Sequence, residues 1–184
     1  MEINNESKGK IKEGISWLLT ILAAVALAIA FRMIVAENVI VVGSSMEQTL
    51  YTGQRLIVYK LGYRCHTPLR GDIIVLDSNV LSNSTADNTD YVKRVIALPG
   101  EEIDIKGGNV YINGDLLDEP YALGITYPNG TVFPIVVREG EYFVMGDNRQ
   151  VSLDSRQIGV IKISHIKGEA IFRIWPLDQI GKID

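Results

Sequence analysis

The chain of 184 residues carries 18 Lys plus Arg against 22 Asp plus Glu, a formal charge of −4, with 47% apolar and 22% charged residues. These proportions exclude a disordered tail and a collagen-like repeat, and they argue against a basic nucleic-acid binder that works by neutralising phosphates. Its single cysteine, Cys65, cannot close an internal disulfide.

The first predicted element is an apolar helix. No residue from Gly14 to Phe31 is charged, a run of 18, and apolar character resumes after Arg32 through Ala36. At about 1.5 Å per residue, Ile15 to Ala36 reaches roughly 33 Å, enough to cross a ~30 Å hydrocarbon core. Trp17 near one end suits the membrane interface, and Arg32 near the other can extend its charge toward headgroups. A buried core helix does not fit a run that is apolar on all faces. A cleavable signal peptide competes, because Lys8, Lys10 and Lys12 precede the run and Ala28-Ile29-Ala30 has the small-x-small pattern. That triplet lies inside the apolar run with no polar stretch before it, so an uncleaved signal-anchor is the preferred reading. The three lysines favour a cytoplasmic N-terminus. The expected division is a cytoplasmic segment 1–14, a transmembrane helix 15–36 and an extracytoplasmic domain 37–184, placing the protein at the cell membrane as a single-pass chain in contact with lipid.

The domain reads as β throughout. Asn38–Val42, Arg55–Tyr59, Asp72–Leu76, Tyr91–Ala97, Glu102–Ile105, Asn109–Ile112, Thr131–Val137, Tyr142–Met145, Ile158–Ile163 and Glu169–Ile174 are short, rich in Val, Ile and Tyr, and bounded by turn residues. Asn113-Gly114 followed by Asp115 signals a two-residue hairpin. Ser78–Asp90 is polar and reads as an exposed loop. The expected fold class is therefore mostly β, a β-rich domain on one membrane helix.

Four stretches place chemical residues at turns beside strands. Ser45 follows Gly43 and Ser44 in a turn, where a hydroxyl and its own backbone N–H can face one substrate atom; taken alone, a turn serine that satisfies local backbone groups is the better fit. Lys93 interrupts the apolar strand Tyr91–Ala97. It either reaches solvent or points inward, and inward burial would lower its pKa and free a neutral amine as base. Arg94 must face the opposite way. Arg70-Gly71-Asp72 turns into a strand and reads as structural. Gly146–Arg156 is dense in Asp, Asn, Arg and Ser, and is either a buried ion-pair network or a solvated loop. His66 and His165 read as ordinary surface or turn residues, and no His/Cys cluster has metal-ligand spacing.

Together, Ser45-Met46-Glu47-Gln48-Thr49-Leu50, Arg70-Gly71-Asp72-Ile73, Tyr91–Glu101 and Gly146–Arg156, in that order after an apolar helix, resemble the bacterial type I signal peptidases of the Ser-Lys kind, in a small Gram-positive form. The resemblance covers nearly the whole chain. It implies a β-rich catalytic core with Ser45 as nucleophile, Lys93 as general base and Ser152 as a hydroxyl that orients the lysine. Asp147, Asp154 and Arg156 would form a structural network, with Arg94 paired to Asp147. Gly43, Ser44 and Met46 would face substrate. No metal and no organic cofactor are implied. The partners would be exported preproteins cut after small-x-small sites, with no nucleic acid and the oligomeric state left open. Three positions depart from the family pattern: Gln48 for proline, Ala97 for a common glycine, and Gly43 where some members carry a hydroxyl. Competing readings are a pilus-dedicated peptidase, a relative of self-cleaving repressors without its DNA-binding domain, and a silent chaperone of exported subunits.

Overall fold

The computed structural model describes residues 3–77 and 90–183, with backbone alone for residues 3–12, 30–34, 64 and 65. The chain divides into two compact units, residues 1–36 and 37–184. The first is a single helix, α1, Ile3–Val35. From Ile15 to Ile29 its apolar side chains are exposed in succession, Trp17, Leu18 and Leu19 among them, so no one face is set aside for a core. Among the described residues, whose side chains in the apolar part of this helix run from Glu13 to Ile29, no helix is long and apolar enough to cross a membrane.

The second unit is a curled antiparallel β fold. One sheet joins, in spatial order, β1 (Ala36–Ile40), β2 (Arg55–Tyr59), β11 (Ile166–Trp175), β3 (Ile73–Leu76), β4 (Tyr91–Ala97), β9 (Glu141–Met145) and β10 (Ile161–Lys162), with β12 (Gly181–Lys182) also on β11. A second sheet runs β7 (Asp115–Leu116), β6 (Asn109–Ile112), β5 (Glu102–Lys106) and β8 (Ile135–Val136). Strand β3 shows why its sequence is apolar without alternation. Ile73 and Val75 face one core with Leu56, Val58 and Leu50, while Ile74 and Leu76 face another with Val95, Tyr142 and Val144. A strand covered on both faces needs an apolar residue at every position. The core of the second sheet is separate, built by Ile103, Ile105, Val110, Ile112 and Phe143.

The Asn113-Gly114 hairpin forms as expected: β6 and β7 are joined by two residues with φ of 53° and 90°, the positive values that this turn requires.

Two predicted strands are largely corrected. Of Thr131–Val137 only Ile135–Val136 pairs, because Pro134 has no N–H to give a ladder and Thr131 closes a turn on Pro128. Of Ile158–Ile163 only Ile161–Lys162 pairs. Ile158 instead ends a short helix, α3 (Ser155–Ile158), which follows α2 (Gly62–Cys65) in chain order; its N-cap Asp154 accepts a hydrogen bond from the Arg156 N–H, and Gly159 terminates it at φ 82°. The predicted loop Ser78–Asp90 lies outside the described residues except for Asp90.

Candidate active site

Ser45 sits in the turn that follows β1. Gly43 enters this turn at φ 90°, a left-handed conformation that suits glycine, and its carbonyl accepts from Thr52 Oγ1 at 2.9 Å. The turn closes through Glu47 N–H to Ser44 O at 3.2 Å and Leu50 N–H to Met46 O at 2.7 Å. Met46 is 2% exposed and packs in the core with Val41, Leu50 and Leu56. Gln48 holds φ at 85°, which proline cannot adopt, so it is not a neutral replacement for the family's proline. Ala97 is fully buried at the end of β4, past a bulge against β9. Among the described residues the Ser45 N–H donates to no protein acceptor.

Lys93 points inward from β4. Its side chain is buried, and Nζ lies 2.9 Å from Ser45 Oγ and 3.0 Å from the Val92 carbonyl. Among the described residues it makes no salt bridge. Burial lowers its pKa from 10.5 to about 8, against the pull of Asp154 and Asp147, with Arg156 adding a further small depression. A cavity of about 50 Å³ opens beside the pair, lined also by Val41, Val42, Gly43, Met46 and Tyr91.

The stretch after β9 folds into a buried ionic framework. On the opposite face of β4 from Lys93, Arg94 grips Asp147 with two bonds of 2.9 Å, Nε to Oδ1 and Nη2 to Oδ2. Arg156 grips Asp154 in the same two-pronged way at 2.8 Å and 2.8 Å. Both pairs are essentially closed to solvent. Gly146 is the pivot: a Cβ there would come within 2.4 Å of the Ser45 carbonyl oxygen and 2.3 Å of Ser152 Oγ, so only glycine fits. Its N–H donates to Ser152 Oγ and Asp154 Oδ2, both at 3.1 Å. Among the described residues Lys93 Nζ bonds Ser45 Oγ and the Val92 carbonyl but not Ser152, contrary to expectation; Ser152 Oγ accepts the Gly146 N–H. Ser44 is half-buried and holds the turn through its carbonyl rather than its hydroxyl.

A serine hydroxyl against a desolvated lysine amine, with a free N–H at the same serine, is the arrangement needed for acyl transfer. The family signature described as "Signal peptidase, peptidase S26" matches residues 14–175. The chain belongs to this family. It is 40% identical to the probable signal peptidase I-2 of Synechocystis sp. over 88% of this chain and 73% of that protein. It is 38% identical to the signal peptidase I of Bacillus licheniformis, covering 97% and 98%, and 33% identical to the signal peptidase IB of Staphylococcus aureus, covering 91% and 93%. It is an enzyme of the signal peptidase I type, which removes signal peptides from preproteins.

For a signal peptidase, the sequence reading passed over two groups that the structure draws into the site. Thr49 donates to Asp147 Oδ2 at 2.5 Å and accepts from Arg94 Nη2 at 3.1 Å, so it completes that ion pair. Ser155 is fully buried and accepts the Val144 N–H at 3.0 Å, fixing α3 to β9. Both lie inside motif blocks, but a hydroxyl's partner is set by the fold, and nothing in the spacing marked it. Among the described residues, no three His, Cys, Asp or Glu side chains gather where they could hold a metal.

Proposed function

We propose that the chain is a membrane-anchored Ser-Lys endopeptidase in which Ser45 is the nucleophile and Lys93 the general base. The observation that carries this reading is the 2.9 Å approach of Lys93 Nζ to Ser45 Oγ, with the amine buried and its pKa lowered to about 8. A neutral Lys93 takes the proton from Ser45 Oγ as that oxygen attacks the scissile carbonyl, and the Ser45 N–H faces the developing oxyanion. The protonated amine then gives its proton to the leaving amine, and the same base activates the water that hydrolyses the acyl-enzyme. Asp147, Asp154, Arg94 and Arg156 hold the framework, and Ser152 acts by fixing Gly146 rather than by touching the lysine.

The cavity beside Ser45 is small, about 50 Å³, which supports cleavage after small-x-small sequences. Gly43, Ser44 and Met46 flank this position, and the preprotein lies along it as an extended strand. Helix α1 is the anchor: it is 33 residues long, has no charge from Gly14 to Phe31, and exposes apolar side chains from Ile15 to Ile29. Its lysine-bearing end, Lys8 to Lys12, sits in the cytoplasm and residues 37–184 outside it.

The test is cleavage of a purified preprotein by the detergent-solubilised protein and by its Ser45→Ala and Lys93→Ala variants, with product masses recorded. The expected result is a cut after a small-x-small sequence by the parent alone. Cleavage by either variant at the parent's rate overturns the assignment. A parent that binds the preprotein without cutting it points to the chaperone reading.

A further inference from the structure

The position of Ser45 depends on a turn it does not belong to. Its carbonyl accepts the Asn148 N–H at 3.0 Å, and it stands against Gly146 too closely for any Cβ. Whatever fixes the Gly146–Asn148 turn therefore fixes the nucleophile. Asp147 is held from one side by Arg94 and Thr49. The other side is held by a segment with no motif, the stretch between β7 and β8.

That segment grips the turn at three levels. Leu123 forms an isolated parallel bridge with Asn148: its N–H donates to Asp147 O at 2.7 Å, and its carbonyl accepts the Arg149 N–H at 3.0 Å. Tyr121 lays its ring under the Arg94 guanidinium, 4.1 Å from ring centre to carbon. Glu119 takes Arg149 with both carboxylate oxygens, at 2.6 Å to Nη2 and 3.0 Å to Nη1, while Thr126 Oγ1 accepts from Nη1 at 2.7 Å. The same guanidinium donates Nε to the Gly146 carbonyl at 3.0 Å. Arg149 is fully buried and the Glu119 side chain is 8% exposed, so solvent does little to weaken the pair. Behind Glu119 and Thr126 lies a cavity of about 500 Å³. The ion pair is one of the segment's three holds on the turn, beside the Leu123 backbone bridge and the Tyr121 ring.

We infer that Glu119 is a positioning residue for Ser45, acting through Arg149 and the Gly146 carbonyl. Neutralising the carboxylate releases the guanidinium, the turn drifts, and the Ser45 hydroxyl loses its alignment with the scissile carbonyl. This rests on the reading of Ser45 as nucleophile. Neither Glu119 nor Arg149 is among the charges that bear on Lys93, so the substitution removes no direct electrostatic partner of the lysine.

The experiment is steady-state cleavage of a preprotein by the full-length, detergent-solubilised protein, with the pH profile and the folded fraction measured on the same samples. Glu119→Gln is expected to lower kcat about tenfold, a fraction of the roughly 10²-fold that a 1 Å misplacement at a reacting centre can cost. KM and the acid midpoint of the profile stay where they are. Thr126→Val is expected to lower kcat about threefold and Thr126→Ser to keep the parent value, since only the hydroxyl matters. If Glu119→Gln does not fold, the Thr126 pair decides. Parent kcat in Glu119→Gln or in Thr126→Val, a loss that matches a fall in folded fraction, or a loss in KM alone overturns the inference. Ser45→Ala runs alongside: cleavage by that variant sinks the site reading itself, whereas an inert Ser45→Ala with an unaffected Glu119→Gln sinks only the positioning role.

Discussion

Lys93 and Arg94 are neighbours on one strand, both almost fully buried, and the fold treats them in opposite ways. Arg94 is fully compensated: two hydrogen bonds to Asp147, others to Gly71 O and Thr49, and an aromatic ring beneath it. Lys93 receives a serine hydroxyl and one carbonyl, with the carboxylates kept beyond hydrogen-bond reach. Burial disfavours a charge unless a counter-charge offsets it, so Arg94 stays a fixed cation while Lys93 moves toward the neutral amine. The residue types suit the division. A guanidinium cannot be deprotonated and forks onto a carboxylate, whereas an ammonium shifts its pKa readily. Chemistry and scaffolding are thus separated by a single step along a strand, because alternate residues face alternate sides.

Exchanging the two roles gives the largest expected effect. Lys93→Arg places a permanent cation where a base is required, and cleavage should fall by about 10²–10⁴-fold, the range for removing general-base catalysis. Turnover near the parent's rate would mean that the amine is not the base. Next comes the compensated face. Asp147→Ala leaves Arg94 buried without its carboxylate, and breaking a buried pair in this way costs about 3–5 kcal/mol. Urea unfolding should show a loss of that size, read as the fall in midpoint multiplied by the slope, and a loss below about 1 kcal/mol would show that Thr49 and Gly71 suffice to hold the arginine.

The uncompensated face is sharpened by pH. Because the folded pKa of Lys93, about 8, lies below its ordinary 10.5, the unfolded chain binds more protons between those values, and stability rises with pH there. Below about 8 both states are protonated and the full desolvation cost is present; above 10.5 neither is and the cost is gone. The difference between the parent and Lys93→Met should therefore shrink by roughly 3 kcal/mol across that window, with Met the more stable at neutral pH. A constant difference would show that burial does not depress this amine. Cleavage should follow the same proton, falling about tenfold per pH unit well below 8.

How much of this was legible in the sequence varies along the chain by physical cause. Strands with both faces covered, such as Ile73–Leu76, announce themselves as apolar runs, and Asn113-Gly114 announces its turn. The four blocks disclosed which residues meet, since Ser45, Lys93, Asp147, Asp154 and Arg156 all lie in them. What stayed hidden was partnership. Ser152 is expected on Lys93 but serves the Gly146 N–H, because a hydroxyl's partner is set by the packing of distant segments, which residue order does not encode. Ile158 looked like strand for its β-branched side chain, yet Asp154 and Gly159 bracket it as a helical turn. That signal was readable and was outweighed by propensity.

The smallest effect tests the backbone under the serine rather than the side chains. Gln48 stands at φ 85°, with its side chain exposed, three residues from Ser45 in the turn that sets the nucleophile's direction. A non-glycine residue there carries a steric cost of about 1–2 kcal/mol that glycine avoids, partly offset by glycine's greater freedom in the unfolded chain. Gln48→Gly should therefore raise stability by roughly 0.5–1 kcal/mol, read as a rise in the urea midpoint at unchanged slope. Gln48→Pro should do the reverse, because the ring fixes φ near −65° and the turn can accept it only by re-aiming the chain. If the proline variant is as stable as the parent and cuts at the same rate, the direction of Ser45 is set by Asn148 and Gly146 alone, and the turn merely follows.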